Sequence, residues 1–279
     1  MIFRIIFRFI RLFSLDIVAG AIAGLVFAST VMGADLHRSY YIIMGLTVWL
    51  IYTVDHLMDG AKSHGKSDSD THNFFYTYKI PIILVFLILL VLDFRLIVYR
   101  LDEKIIQFGM GPGIATVIYL LMNRFYDDAP KWIFIKELWI AVIYTLAIWG
   151  GPVILGGDAM SKSQILLMVS HGLIIFGNVM IYSIYERESD IRQDNKSFVR
   201  DFGLRPAVNM VVMTLALSIL TAISAYLFYG TQLIYSLPLV LISTSMLLII
   251  SFPRTFSRNK LYGVIADLLL LVLLFVYPG

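Results

Sequence analysis

No cysteine occurs anywhere in the 279 residues, which excludes a disulfide scaffold, thiolate metal sites and cysteine nucleophiles. Charge is scarce too: 15% of residues are Asp, Glu, Lys or Arg, against roughly 25% in a soluble domain. What charge there is nearly cancels. The 22 Lys and Arg set against 19 Asp and Glu leave +3, too small and too dispersed a surplus for nucleic-acid binding. Low-complexity segments are also missing. With 59% hydrophobic residues and a mean hydropathy of +0.83, the chain is not a water-soluble globule but a polytopic membrane protein.

A bilayer-crossing helix needs about 20 mainly apolar residues, because lipid leaves no water for unpaired backbone groups. Nine stretches qualify, near 14–33, 39–58, 79–98, 105–123, 132–150, 163–185, 206–228, 233–252 and 260–277. They leave no room for a separate soluble domain, so residues 1–279 are expected to form one all-α membrane domain. Residues 1–12, MIFRIIFRFIRL, place Arg4, Arg8 and Arg11 on one helical face, as suits a short amphipathic helix in the headgroup region. A signal peptide is the competing reading, and no small-x-small cleavage site follows to support it.

An odd number of spans puts the termini on opposite sides. Sorting basic residues by alternate connections gives 17 on the side of the N-terminus. Five lie on the other: Arg38, Arg95, Arg100, Lys104 and Lys162. The positive-inside rule then puts the N-terminus and the even-numbered connections in the cytoplasm of an inner-membrane protein.

Acidic residues at helix ends of such a protein are candidates for function. Asp55 and Asp59 close the second span, four residues apart and therefore on one helical face. Glu186, Asp190 and Asp194 repeat that spacing at the end of the sixth span, and both spans run towards the cytoplasm. Like charges at this spacing weaken a helix unless a cation intervenes. Mg²⁺ takes one or two carboxylates per site and completes its shell with water and phosphate oxygens. Two such pairs suit a Mg²⁺-diphosphate, with metal-assisted ionisation of a carbon–oxygen bond. Arg187, Arg192 and Lys196 stand beside the second set and suit a diphosphate clamp. A polyprenyl diphosphate has the matching shape, a charged head at the interface and a greasy tail in the bilayer. A solvated acidic face is the plain alternative for either cluster alone; the duplication on one side argues for the metal.

These residues resemble the UbiA superfamily of intramembrane prenyltransferases, whose members have nine helices and two Asp-rich motifs following the second and sixth. Residues 182–203, YSIYERESDIRQDNKSFVRDFG, are similar to the family's second motif, with Tyr182, Glu186, Arg187, Asp190, Lys196, Ser197, Phe202 and Gly203 at characteristic positions. Of the usual first motif, N-D-x-x-D-x-x-x-D, Asp55 and Asp59 are present while Ile51 and Tyr52 stand in the first two places. Glu186 replaces the usual Asp and Asp194 the usual Gly. The resemblance implies a nine-helix bundle with a cytoplasm-facing central cavity. It also implies Mg²⁺ as cofactor at Asp55, Asp59, Glu186 and Asp190, and transfer of a prenyl group from a prenyl diphosphate to an aromatic or other lipophilic acceptor. The incomplete first motif leaves a second reading, a non-catalytic protein of the same fold that binds a prenyl lipid or a partner. Asp59-Gly60-Ala61-Lys62 also resembles the opening of the CDP-alcohol phosphotransferase signature, but its Arg and later aspartates are lacking. A cation-coupled transporter would place its acids near the midplane.

Several other residues carry two readings. Lys136 reaches a phosphate or snorkels to the headgroups. Asn178, two turns before Glu186, orients the acceptor or bonds a neighbouring helix. Tyr52, Tyr182 and Tyr185 adjoin the acids, where they pack or shield an allylic cation with their ring faces. Asp16 is expected at the interface, Asp267 paired with a basic or backbone group, and His171 as a packed core histidine. His56 and His72 suit neighbours of Mg²⁺ better than zinc ligands, since a zinc site wants three or four N or S donors.

Overall fold

The computed structural model describes residues 9–67, 69–125, 136–192 and 197–276. Asp194, Lys196, Arg4 and Arg8 lie outside the described residues, as does most of the expected interfacial segment. Every described element is helical: α1 (Leu15–Met32), α2 (Arg38–Lys62), α3 (Asp70–Thr77), α4 (Lys79–Arg100), α5 (Glu103–Phe125), α6 (Lys136–Leu155), α7 (Lys162–Arg192), α8 (Phe198–Phe202), α9 (Leu204–Tyr229), α10 (Leu233–Ser251), α11 (Pro253–Ser257) and α12 (Leu261–Leu269). Among the described residues, eight helices (α1, α2, α4–α7, α9 and α10) are long and apolar enough to cross a membrane.

The ninth expected span, 260–277, is α12 continuing as a 3₁₀ turn over Leu270–Val276. At about 1.5 Å per α residue and about 2.0 Å per 3₁₀ residue, this 16-residue run reaches roughly 28 Å, close to a hydrocarbon thickness of about 30 Å. Stretching the last turns compensates for the shortness of the segment. The three short helices α3, α8 and α11 lie in connections, where the sequence shows no periodicity long enough to announce them.

The helices fall into two compact units: Met1–Ile22 with His37–Gln107, and Ala23–Leu36 with Phe108–Gly279. In the first unit α2 packs on α3 and α4. Polar side chains fasten it at three depths. The Tyr40 hydroxyl donates to Asp102 at 2.8 Å, the Thr47 hydroxyl donates to Asp93 at 2.9 Å, and His56 Nε2 lies 2.9 Å from the Ser14 hydroxyl. Each pairing lowers the cost of a polar group in lipid.

In the second unit α7 is the central helix, packed on α6, α9, α10 and α12. Its 31 residues span about 46 Å, so it outruns the hydrocarbon by several turns. The close approach of α9 depends on Gly177, where a Cβ would stand 2.7 Å from Leu215 Cδ2. Buried hydroxyls of Ser170, Ser218 and Ser243 link α7, α9 and α10 in a chain of bonds of 2.9 Å. Trp149 Nε1 donates to His171 Nδ1 at 3.1 Å with the Phe27 ring alongside, so His171 is the packed core histidine its sequence context suggested.

Candidate active site

In the first unit the helical period of α2 runs unbroken through Asp55 and Asp59 to Lys62, beyond the expected boundary at residue 58. Both acids therefore share a rigid helical face, their Cα atoms about 6 Å apart by the helical rise. His72 Nε2 stands 3.6 Å from Asp59 Oδ2, and the Ser67 hydroxyl lies 3.2 Å from His72 Nδ1. His56 and His72 pack ring to ring at 5.6 Å, with Phe75 beside His56 at 5.1 Å. Gly60 makes this possible: a Cβ there would lie 2.6 Å from the His72 carbonyl oxygen, so only glycine lets α3 lie this close to α2. Tyr52 and Asp55 are half-buried one turn and less away, with the Tyr52 ring 6.3 Å from His56.

In the second unit the apolar run of α7 ends at Tyr185, and Glu186 to Arg192 carry the helix beyond it. Tyr262 of α12 stacks flat on Tyr185, centroids 4.4 Å apart, and its hydroxyl donates to Glu186 Oε1 at 3.1 Å. The Tyr185 hydroxyl donates to the Ile249 carbonyl at 2.7 Å, fixing the ring pair to α10. Glu186 is thus aimed by an aromatic stack on rigid helices.

Asp190 follows one turn later. Burial pushes its carboxyl up to about 6; the neighbouring charges of Glu186 and Glu137 act the same way, and the Ser197 hydroxyl and Lys136 ammonium act against them. Two acids and one lysine thus act on Asp190, and a cation bound there would relieve the repulsion among the carboxylates. Glu137 is the residue sequence reading missed. It is buried at the start of α6, its Oε1 accepts from the Phe198 backbone N–H at 2.9 Å, and its Oε2 has no hydrogen-bond partner among the described residues. It fixes the start of α8, the segment that follows the second acidic motif.

Of the remaining candidates, Lys136 lies within electrostatic reach of Asp190. Asn178 and Tyr182 are held by Asp267. Arg187 is exposed, and Arg192 pairs with Glu188 at 3.9 Å. Residue 192 lies about 200° around the helix from 190, so Arg192 faces away from the acids, whereas Arg187 lies about 60° from Asp190. Asp267 accepts from the Asn178 amide and the Tyr182 phenol. Asp16, with Arg11 at 3.9 Å, sits in the first turn of α1. Among the described residues no three of His, Asp and Glu gather into a ready-made metal cage. A Mg²⁺ site does not need one, since one or two carboxylates suffice when water and phosphate oxygens supply the rest.

No family model and no curated protein sequence matches the chain. Solved structures do. A UbiA homologue from Aeropyrum pernix K1 superimposes with a TM-score of 0.66 at 13% identity, covering 91% of this chain and 94% of its own. A UbiA homologue from Archaeoglobus fulgidus bound to GPP and Mg²⁺ superimposes with a TM-score of 0.66 at 16% identity, covering 98% of this chain and 100% of its own. The chain has the UbiA fold. A structure of digeranylgeranylglyceryl phosphate synthase agrees less closely, with a TM-score of 0.58 at 14% identity over 96% of this chain and 94% of its own. In a UbiA fold, the carboxylate pairs of α2 and α7 stand at the ends of the second and sixth long helices.

Proposed function

We propose that this protein is a Mg²⁺-dependent intramembrane prenyltransferase of the UbiA superfamily. It moves a prenyl group from a prenyl diphosphate to an aromatic or other lipophilic acceptor. The observation that carries the reading is a pair of carboxylates one turn apart at the end of each of two long helices, in a fold whose solved examples include one bound to GPP and Mg²⁺.

The residues fit the ion. Asp55, Asp59, Glu186 and Asp190 offer hard oxygen donors, and burial raises the Asp190 carboxyl, a cost that a bound cation would offset. When bound, Mg²⁺ would neutralise the diphosphate as it leaves. Beside each carboxylate pair the chain's own groups have separate tasks. His72 holds Asp59 on its helical face, Tyr262 holds Glu186, and Glu137 fixes the segment that follows the second motif. Lys136 is the cation best placed to meet a phosphate; Arg187, Arg192, Lys196 and Asp194 remain candidates for the outgoing diphosphate. Tyr52 and Tyr182 each adjoin the acids of their own helix, where a ring face would shield an allylic cation. The 17-to-5 division of basic residues supports a cytoplasmic active site in the inner membrane.

Purified protein incubated with Mg²⁺ and labelled geranyl diphosphate tests the reading. Diphosphate release with an acceptor, abolished by Asp190→Ala, is the expected result. Binding of geranyl diphosphate with no release for any acceptor would favour the non-catalytic reading, which Ile51 and Tyr52 in the first motif support.

A further inference from the structure

Asp267, Asn178 and Tyr182 form a polar knot inside the second unit, and the carboxylate chemistry above does not use it. Asp267 is 4% exposed and Asn178 is 8% exposed. Asn178 Nδ2 donates to Asp267 Oδ1 at 3.1 Å, and the Tyr182 hydroxyl donates to Asp267 Oδ2. A carboxylate only accepts hydrogen bonds, so it settles which way the amide points. The NH₂ faces Asp267 and the carbonyl oxygen faces away from it. That oxygen, Asn178 Oδ1, is buried and has no partner among the described residues.

An unpaired carbonyl at this depth carries its full desolvation cost, and lipid holds no water to relieve it. It is also an atom of fixed polarity: it accommodates a donor and repels another acceptor. Asn178 stands on α7 eight residues from Glu186, roughly 12 Å along the helix axis. That places it on the membrane side of the proposed diphosphate centre, where a lipophilic second substrate has to sit.

We infer that Asn178 and Asp267 together set the specificity for the acceptor: Asn178 Oδ1 receives a hydrogen bond from an acceptor hydroxyl, and Asp267 is the positioning residue that keeps the amide in that orientation. The inference rests on the prenyl-transfer reading and deepens it. It names the discrimination the site makes, selecting a hydroxyl donor, phenolic or alcoholic, over an ether, a ketone or a carboxylate at the same position. Without Asp267 the amide could rotate its NH₂ towards the ligand and the preference would vanish.

The test uses the full chain in lipid nanodiscs, with two measurements kept separate. Mg²⁺-dependent binding of geranyl diphosphate is measured first, and its absence from the wild-type protein overturns the prenyl-transfer reading. Binding of 1-naphthol and of 1-decanol, each beside its methyl ether, is then measured without diphosphate. In the wild type at least one hydroxyl probe binds about tenfold tighter than its ether, the size of one buried hydrogen bond; the arm that does so tells a phenolic from an alcoholic acceptor. Asn178→Leu and Asp267→Asn each remove the preference while geranyl diphosphate affinity stays within about twofold. The exchanged pair Asn178→Asp with Asp267→Asn again presents an accepting oxygen, held by an amide, and restores it. Equal binding of hydroxyl and ether probes in both arms, a preference that survives Asn178→Leu, or no recovery in the exchanged pair overturns the inference.

Discussion

Replacing Gly60 by alanine tests how tightly the first carboxylate pair is built into the fold. The added Cβ would lie 2.6 Å from the His72 carbonyl oxygen and 3.3 Å from the Tyr76 backbone nitrogen. Both are backbone atoms of a helix, so no side-chain rotation relieves the contact. An ordinary contact of 3.4 Å needs about 0.8 Å more, which α3 must supply by moving as a body away from α2, and overpacking of this kind costs about 1–3 kcal/mol. At about 2–4 °C per kcal/mol for chains of this size, the Tm in detergent should fall by several degrees. His72 moves with α3, so the 3.6 Å contact with Asp59 lengthens and Mg²⁺-dependent binding of geranyl diphosphate weakens with it. Gly113→Ala in α5 is the matched control, because no atom lies within 4 Å of its Cβ and the same substitution should be neutral or should stabilise by about 0.5–1 kcal/mol from helix propensity. The reasoning fails if Gly60→Ala melts with the wild type and binds geranyl diphosphate equally well.

The other expectations concern single bonds and the ion. Tyr262→Phe keeps the stack on Tyr185 and removes the bond to Glu186, so half-maximal geranyl diphosphate binding should need about threefold to tenfold more Mg²⁺ while the Tm hardly moves; an unchanged Mg²⁺ titration refutes the role given to Tyr262. Glu137→Gln keeps an acceptor for the Phe198 N–H and removes a charge that acts on Asp190, so the fold should survive while the Mg²⁺ dependence shifts. Trp149→Phe leaves His171 Nδ1 without its donor in a buried site, so stability should fall by about 1–3 kcal/mol with no change in geranyl diphosphate affinity, read by thermal melting beside equilibrium binding. Chelation with EDTA should abolish geranyl diphosphate binding and readdition of Mg²⁺ should restore it; binding that persists in EDTA contradicts a metal-held diphosphate.

The long helices were legible because lipid demands long apolar runs, and eight of the nine expected spans appear with their ends shifted by a few residues. The shifts have a common cause. Hydropathy marks where the hydrocarbon ends, whereas a helix continues for as long as its backbone bonds are satisfied. So α2 passes residue 58 to reach Lys62 and α7 passes residue 185 to reach Arg192. The last span misled in the opposite direction. Its composition announces a full α-helix, but seven of its sixteen residues take the tighter 3₁₀ path. The short helices escaped notice because α3 is fixed by contact with Gly60 and α8 by the carboxylate of Glu137, neither of them a local signal.

The carboxylates show the same division more sharply. A four-residue spacing on a helix is a local property, so Asp55 with Asp59 and Glu186 with Asp190 could be read from the chain alone. Their partners could not: Glu137, Tyr262 and Asp267 lie from 53 to 89 positions away from the residues they serve, counted from Asp190, Glu186 and Asn178. Only packing joins them, and in a membrane interior packing has little choice. A buried polar atom left unmatched there carries its full desolvation cost, since lipid offers no partner. Asp267, which the sequence marks as a costly residue in need of a partner, is the point that orders Asn178 and Tyr182. The unmatched atoms therefore carry the most information. Asn178 Oδ1 is a buried acceptor whose direction Asp267 has already decided, and a site built to leave one such atom bare has reserved it for a donor.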